Sequence, residues 1–106
     1  DMQDLPLAIF ATGDSCPAAV RVAAQRDTQV KALACHGGLI DRAGLQALKL
    51  LVAPLLVVFD SDDDIEKVAF QRAASHLSCE HKTHTLDIGE DPAIPVAAWF
   101  LAHFGR

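Results

Sequence analysis

The segment Gly13-Asp14-Ser15-Cys16-Pro17 follows an apolar run and precedes a stretch of helix formers. A serine two residues after a glycine at such a junction is the first half of a nucleophile elbow. There small neighbours let the chain turn so tightly that the hydroxyl stands above the sheet. The N–H of Cys16, at the helix start, would supply one oxyanion donor. The same residues suit an ordinary strand-to-helix turn in which Ser15 caps the helix and Cys16 fills the core. Pro17 replaces the second glycine of the elbow. A second group, Asp60-Ser61-Asp62-Asp63-Asp64, closes another apolar run. Its bland reading is an acidic helix start, in which carboxylates favour the helix dipole and Asp64 is the cap. It is not an EF-hand loop, because Ile65 stands where that loop needs glycine. His36, His76, His81, His84 and His103 show no metal-ligand spacing, so no metal and no cofactor is expected.

Alternating strands and helices must position these groups. Leu5 to Thr12, Gln29 to Cys35, Pro54 to Phe59 and His81 to Ile88 read as strands, the third apolar on both faces. Helices are expected from Pro17 to Arg26, Asp41 to Leu51, Asp64 to Leu77 and Pro92 to Phe104. In the third helix the expected buried stripe is Ile65, Val68, Ala69, Ala73 and Leu77. The pattern predicts an α/β fold, a small three-layer sandwich whose four-stranded parallel sheet is in sequential order. A small-molecule ligand of such a sheet would bind beyond the carboxyl ends of the strands.

Composition narrows the function. The chain has 106 residues, 51% hydrophobic and 22% charged, which suits one domain spanning 1–106. Nine Lys plus Arg against fourteen Asp plus Glu, with no basic cluster, argue against nucleic-acid binding. The apolar stretch Leu50 to Phe59 is interrupted by Pro54 and falls short of the roughly 20 residues of a membrane span. Three scattered cysteines without a C-x-x-C pair, and no secretory signal, point to a cytoplasmic setting.

Laid in order, these segments resemble the C-terminal half of an α/β-hydrolase, close to the dienelactone-hydrolase-like branch, over nearly the whole chain. Gly13 to Ala19 resembles the elbow, and Val30 to Leu33 with His36-Gly37-Gly38 resembles the next strand and its turn. Ala53 to Val58 resembles the strand before the acidic triad member, and Ala98 to Leu101 the final helix. The resemblance implies a truncated, half-domain version of that fold, with Asp62 at the position of the acid. It also implies a histidine after the last strand, where this chain has Gly89-Glu90-Asp91-Pro92. A serine without a positioned base is a weak nucleophile. The expectation is therefore a catalytically impaired domain acting as a binding or assembly module. The alternative is a minimal serine esterase in which His36, on the middle of three neighbouring strands, bridges Ser15 and Asp62. Asp60 and Asp62 also resemble the first motif of haloacid-dehalogenase-type phosphatases, which would imply a Mg²⁺-dependent phosphoryl-transfer site.

A homodimer is expected as well. Sequential strands with right-handed crossovers put every connecting helix on one face, leaving only the last helix to cover the other. From Pro92 to Gly105 that helix carries no charged residue. Ile94, Trp99, Phe100 and Phe104 are its expected interface residues, beside an unguarded first-strand edge from Leu7 to Ala11.

Overall fold

The computed structural model describes residues 7–25, 30–38, 40–62 and 64–104. Strands β1 (Leu7–Thr12), β2 (Val30–His36), β3 (Leu55–Asp60) and β4 (His81–Leu86) form one sheet in the order β1-β2-β3-β4. All neighbours pair in parallel. Helices α1 (Ser15–Gln25), α2 (Leu45–Leu50) and α3 (Asp64–Ala74) lie in the crossovers, and α4 (Ala93–Phe104) ends the chain's described part. This is the α/β architecture that the alternation of elements predicts.

Alternation along β3 shows how the two faces divide. Leu55, Val57 and Phe59 belong to a core shared with α1, α2 and α3, whereas Leu56 and Val58 belong to a second core with Val96 and Trp99 of α4. All five are buried, as a central strand of a parallel sheet covered on both faces should be. In β2, Leu33 and Cys35 face the first core and Ala32 and Ala34 the second. A register shift between Leu7 and Ala8 makes room for one extra residue on β2. Val30 therefore shares the face of Leu33 despite the odd spacing.

Three expected details change. The second helix breaks into a 3-10 turn (Ile40–Ala43) and α2, separated by Gly44 at φ +97°. In α3 the buried residues are Glu66, Ala69 and Ala73, with Phe70 packed beside them, while Ile65 and Val68 are exposed. Both stripes have helical spacing, and the one carrying the larger Phe70 ring wins because it reaches Phe59 edge-on at 5.7 Å. Trp99, expected at a dimer contact, is only 7% exposed and covers the chain's own sheet. Asp63, Pro6 and the side chain of Phe104 lie outside the described residues.

The turn after β2 is packed tightly against the start of α1. A Cβ added at Gly38 would overlap the Cys16 side chain and stand 2.6 Å from the Gly13 carbonyl oxygen. These are backbone and first-turn atoms that cannot swing away. Gly38→Ala should therefore destabilise the fold by about 1–3 kcal/mol, the usual cost of overpacking. Urea unfolding would show this as a lower midpoint with unchanged slope.

A candidate site at the carboxyl ends of the strands

The β1–α1 junction decides where an elbow nucleophile would stand. β1 ends at Thr12, Gly13 and Asp14 form the turn, and Ser15 is already the first residue of α1. Gly13 has φ +57°, and among the described residues no side-chain-bearing residue has a positive φ. In an elbow the nucleophile itself occupies the strained apex of the strand-to-helix turn. Here glycine takes the left-handed conformation, which it does without the roughly 1–2 kcal/mol that an L side chain would cost. Ser15 is exposed but sits two residues past the apex, in helical conformation. The expected oxyanion donor is also engaged, since the Cys16 N–H donates to the Gly13 carbonyl at 3.2 Å.

Cys16 is a core residue. It is fully buried, and its thiol lies 3.5 Å from the Ala11 carbonyl oxygen and 3.7 Å from that of His36. A hydrogen bond from the Cys35 thiol lowers its pKa against the opposing effect of burial, while the Cys35 thiol is pushed well above its usual range. A thiolate there would still lie beneath Gly38, out of reach of a substrate.

The histidine finds a carboxylate, although not the expected one. His36 Nε2 lies 3.1 Å from Asp60 Oδ1, joining the last residues of β2 and β3. The contact fixes the orientation of the imidazole at the end of the sheet, the arrangement that proton transfer by a histidine requires. Asp62 lies in the exposed turn after β3, and among the described residues neither it nor Ser15 hydrogen-bonds to His36. The reason is where the strand ends: β3 runs through Asp60, whose side chain shares the Val58 face that His36 also takes, and Asp62 lies beyond it in the turn. Thr12, paired with His36 across the β1–β2 ladder, adds a hydroxyl to the same row, a position that the alternation along β1 and β2 implies.

Two further features surround the strand ends. A cavity of about 530 Å³ opens beside Asp14, Gly37, Gly38, Arg42 and Glu66. The Arg21 guanidinium at its edge donates to the carbonyl oxygens of Ala43 (3.0 Å) and Arg42 (2.8 Å). At the other end of the sheet, His84 Nε2 lies 2.7 Å from Glu90 Oε2, and Glu90 Oε1 accepts the Asp87 N–H at 3.0 Å. Among the described residues no group of three or more His, Cys, Asp or Glu side chains could hold a metal ion. None of the described helices is long and apolar enough to cross a membrane.

A sequential parallel sheet with its crossover helices on one face, a lone final helix on the other and a sharp glycine turn into α1 defines half of an α/β-hydrolase-type fold. The crystal structure of dienelactone hydrolase from Anabaena variabilis is similar to this chain with a TM-score of 0.84 and 24% sequence identity. The match covers 95% of this chain and 51% of that one, so the chain spans about half the length of that enzyme. The likeness is one of fold. No protein-family model and no curated protein matches the sequence.

The loop after β4 carries a pH signature. The Asp87 N–H, then His84, hold the Glu90 carboxyl below its ordinary pKa. A carboxyl lowered in the folded state contributes stability above its unfolded value of about 4.3 and loses it as pH falls through the lower folded value. Glu90→Gln should therefore be less stable than wild type at neutral pH. The gap should close on acidification below about pH 4. Urea midpoints of both proteins between neutral and acid pH would check this.

Proposed function

We propose that this unit acts as a binding and assembly module and does not turn over substrate as a serine hydrolase. The observation that carries the reading is Gly13 at the apex of the β1–α1 turn, where a hydrolase needs its nucleophile. Ser15 is displaced into α1, and the Cys16 N–H is committed to the Gly13 carbonyl. The cavity beside Asp14, Gly37 and Gly38 is the natural place for a small ligand at the strand ends. The opposing reading is a serine esterase using Ser15 with His36. It has one observation in its favour, the oriented His36–Asp60 pair. A fluorophosphonate probe separates them. Labelling at neutral pH should stay at background and be unaffected by Ser15→Ala, whereas rapid stoichiometric labelling abolished by Ser15→Ala would establish the esterase.

Assembly is proposed to occur between two copies of the chain. On the α4 face of the sheet, β1 leaves Ala8, Phe10 (42% exposed) and Thr12 uncovered. Beside it, α4 turns Ile94 (67%) and Leu101 (70%) outward, without a charged residue in the helix. With Trp99 spent on the chain's own core and Phe100 packed against it, Ile94 and Leu101 become the central contacts. A two-fold contact of this kind should bury more than about 1,000 Å² in total. Light scattering behind size exclusion should give twice the chain mass of 11.3 kDa. Leu101→Glu should halve that mass with an unchanged far-UV spectrum, and a wild-type monomer would overturn the assignment.

A further inference from the structure

We propose that Cys16 and Cys35 are a redox pair that hydrogen peroxide converts into a disulfide, locking the first turn of α1 to the end of β2. The pair stands independently of any ligand or second copy of the chain. Cys35 is the ladder partner of Ala11 and belongs to the core beneath α1. Cys16 comes down on the same spot from the helix. Its sulfur lies 3.5 Å from the Ala11 carbonyl oxygen and 3.7 Å from that of His36, the residue after Cys35. The Cys35 thiol donates a hydrogen bond to that sulfur. A disulfide needs its sulfurs at about 2 Å, a short closing movement from hydrogen-bond contact. Cys79 lies just before β4, at the opposite end of the parallel sheet, away from both.

The two thiols take different parts. The hydrogen bond from Cys35, working against burial, holds the Cys16 thiol below its ordinary pKa, whereas the Cys35 thiol is pushed well above its own. Cys16 is therefore the attacking thiolate, the form in which sulfur is the nucleophile. Its sulfur bonds to one peroxide oxygen as the O–O bond breaks, giving a sulfenic acid. The hydroxide released takes the proton that Cys16 lost and leaves as water. The Cys35 sulfur then attacks the Cys16 sulfur, the S–O bond breaks, and hydroxide leaves with the Cys35 proton as a second water. Two thiols are oxidised and one peroxide is reduced to two waters. Access is through the turn after β2. Cys16 is fully buried, with Gly38 over its sulfur. Gly37 and Gly38 carry no side chains, and with Asp14 and Pro17 they line the cavity at the strand ends. A displacement of this turn admits an oxidant of two heavy atoms.

Treatment of the folded protein with hydrogen peroxide, followed by unfolding and alkylation, tests this. The chain has three cysteines, so the reduced protein should take up three alkyl groups and the oxidised protein one, at Cys79. Trypsin cuts after Arg21, Lys31 and Arg42, and should release the peptide ending at Arg21 joined to the one ending at Arg42. Dithiothreitol should restore all three thiols. The oxidised protein should unfold at a higher urea midpoint, because the cross-link constrains the unfolded chain. Cys79→Ala should yield the same joined peptides and lose every alkylatable thiol on oxidation. A disulfide through Cys79, sulfinic acid without the cross-link, or three alkylatable thiols after peroxide would each overturn the proposal.

Discussion

A right-handed crossover between neighbouring parallel strands leaves its helix on one side of the sheet, and three such crossovers in sequence leave all their helices on the same side. Every other feature of this protein follows from that asymmetry. The α1–α3 face is closed by a continuous core from Val20 and Leu33 to Leu55 and Leu48. The opposite face depends on α4, which brings Val96 and Trp99 down onto Ala32, Ala34, Leu56 and Val58. One helix cannot cover four strands. β1 is left with Phe10 in solvent on one side of α4, and β4 is left with a groove on the other.

The same geometry brings groups together at the strand ends. Parallel pairing puts Thr12, His36 and Val58 in one row across the sheet, and Asp60, two residues beyond Val58, comes within reach of His36. An imidazole–carboxylate pair is thus built from two strand termini. What a hydrolase adds is a nucleophile at the apex of the turn after the first of these strands, held there against backbone strain. At this apex the chain has glycine, and the strain is absent.

Much of the fold was legible because its signals are local or periodic. The apolar run of β3, the glycines after β1 and β2, and the alternation of elements all translate directly into a sequential parallel sheet. The site was less legible. Asp62 looks like the acid because it stands in the loop, but β3 runs on through Asp60, and it is the Asp60 carboxylate that reaches His36. Ser15 looks like the nucleophile because Gly-x-Ser is the familiar spelling, but φ at Gly13 shows where the chain turns. The α3 stripe could be drawn through Ile65 and Val68 or through Glu66 and Phe70 with the same periodicity, and only the contact with Phe59 chooses between them.

By itself, the sequence determined the element types, their order, the burial of β3 and the absence of charge from α4, because each depends on propensity and pattern within a dozen residues. The tertiary structure alone decided the partner of His36, the apex of the turn after β1 and the burial of Trp99. Those depend on which side chains share a face after residues 20 to 40 positions apart are brought side by side, as His36 and Asp60 are at a separation of 24. No local rule carries that information, because strand register and the rotation of a helix about its axis are set by packing across the sheet.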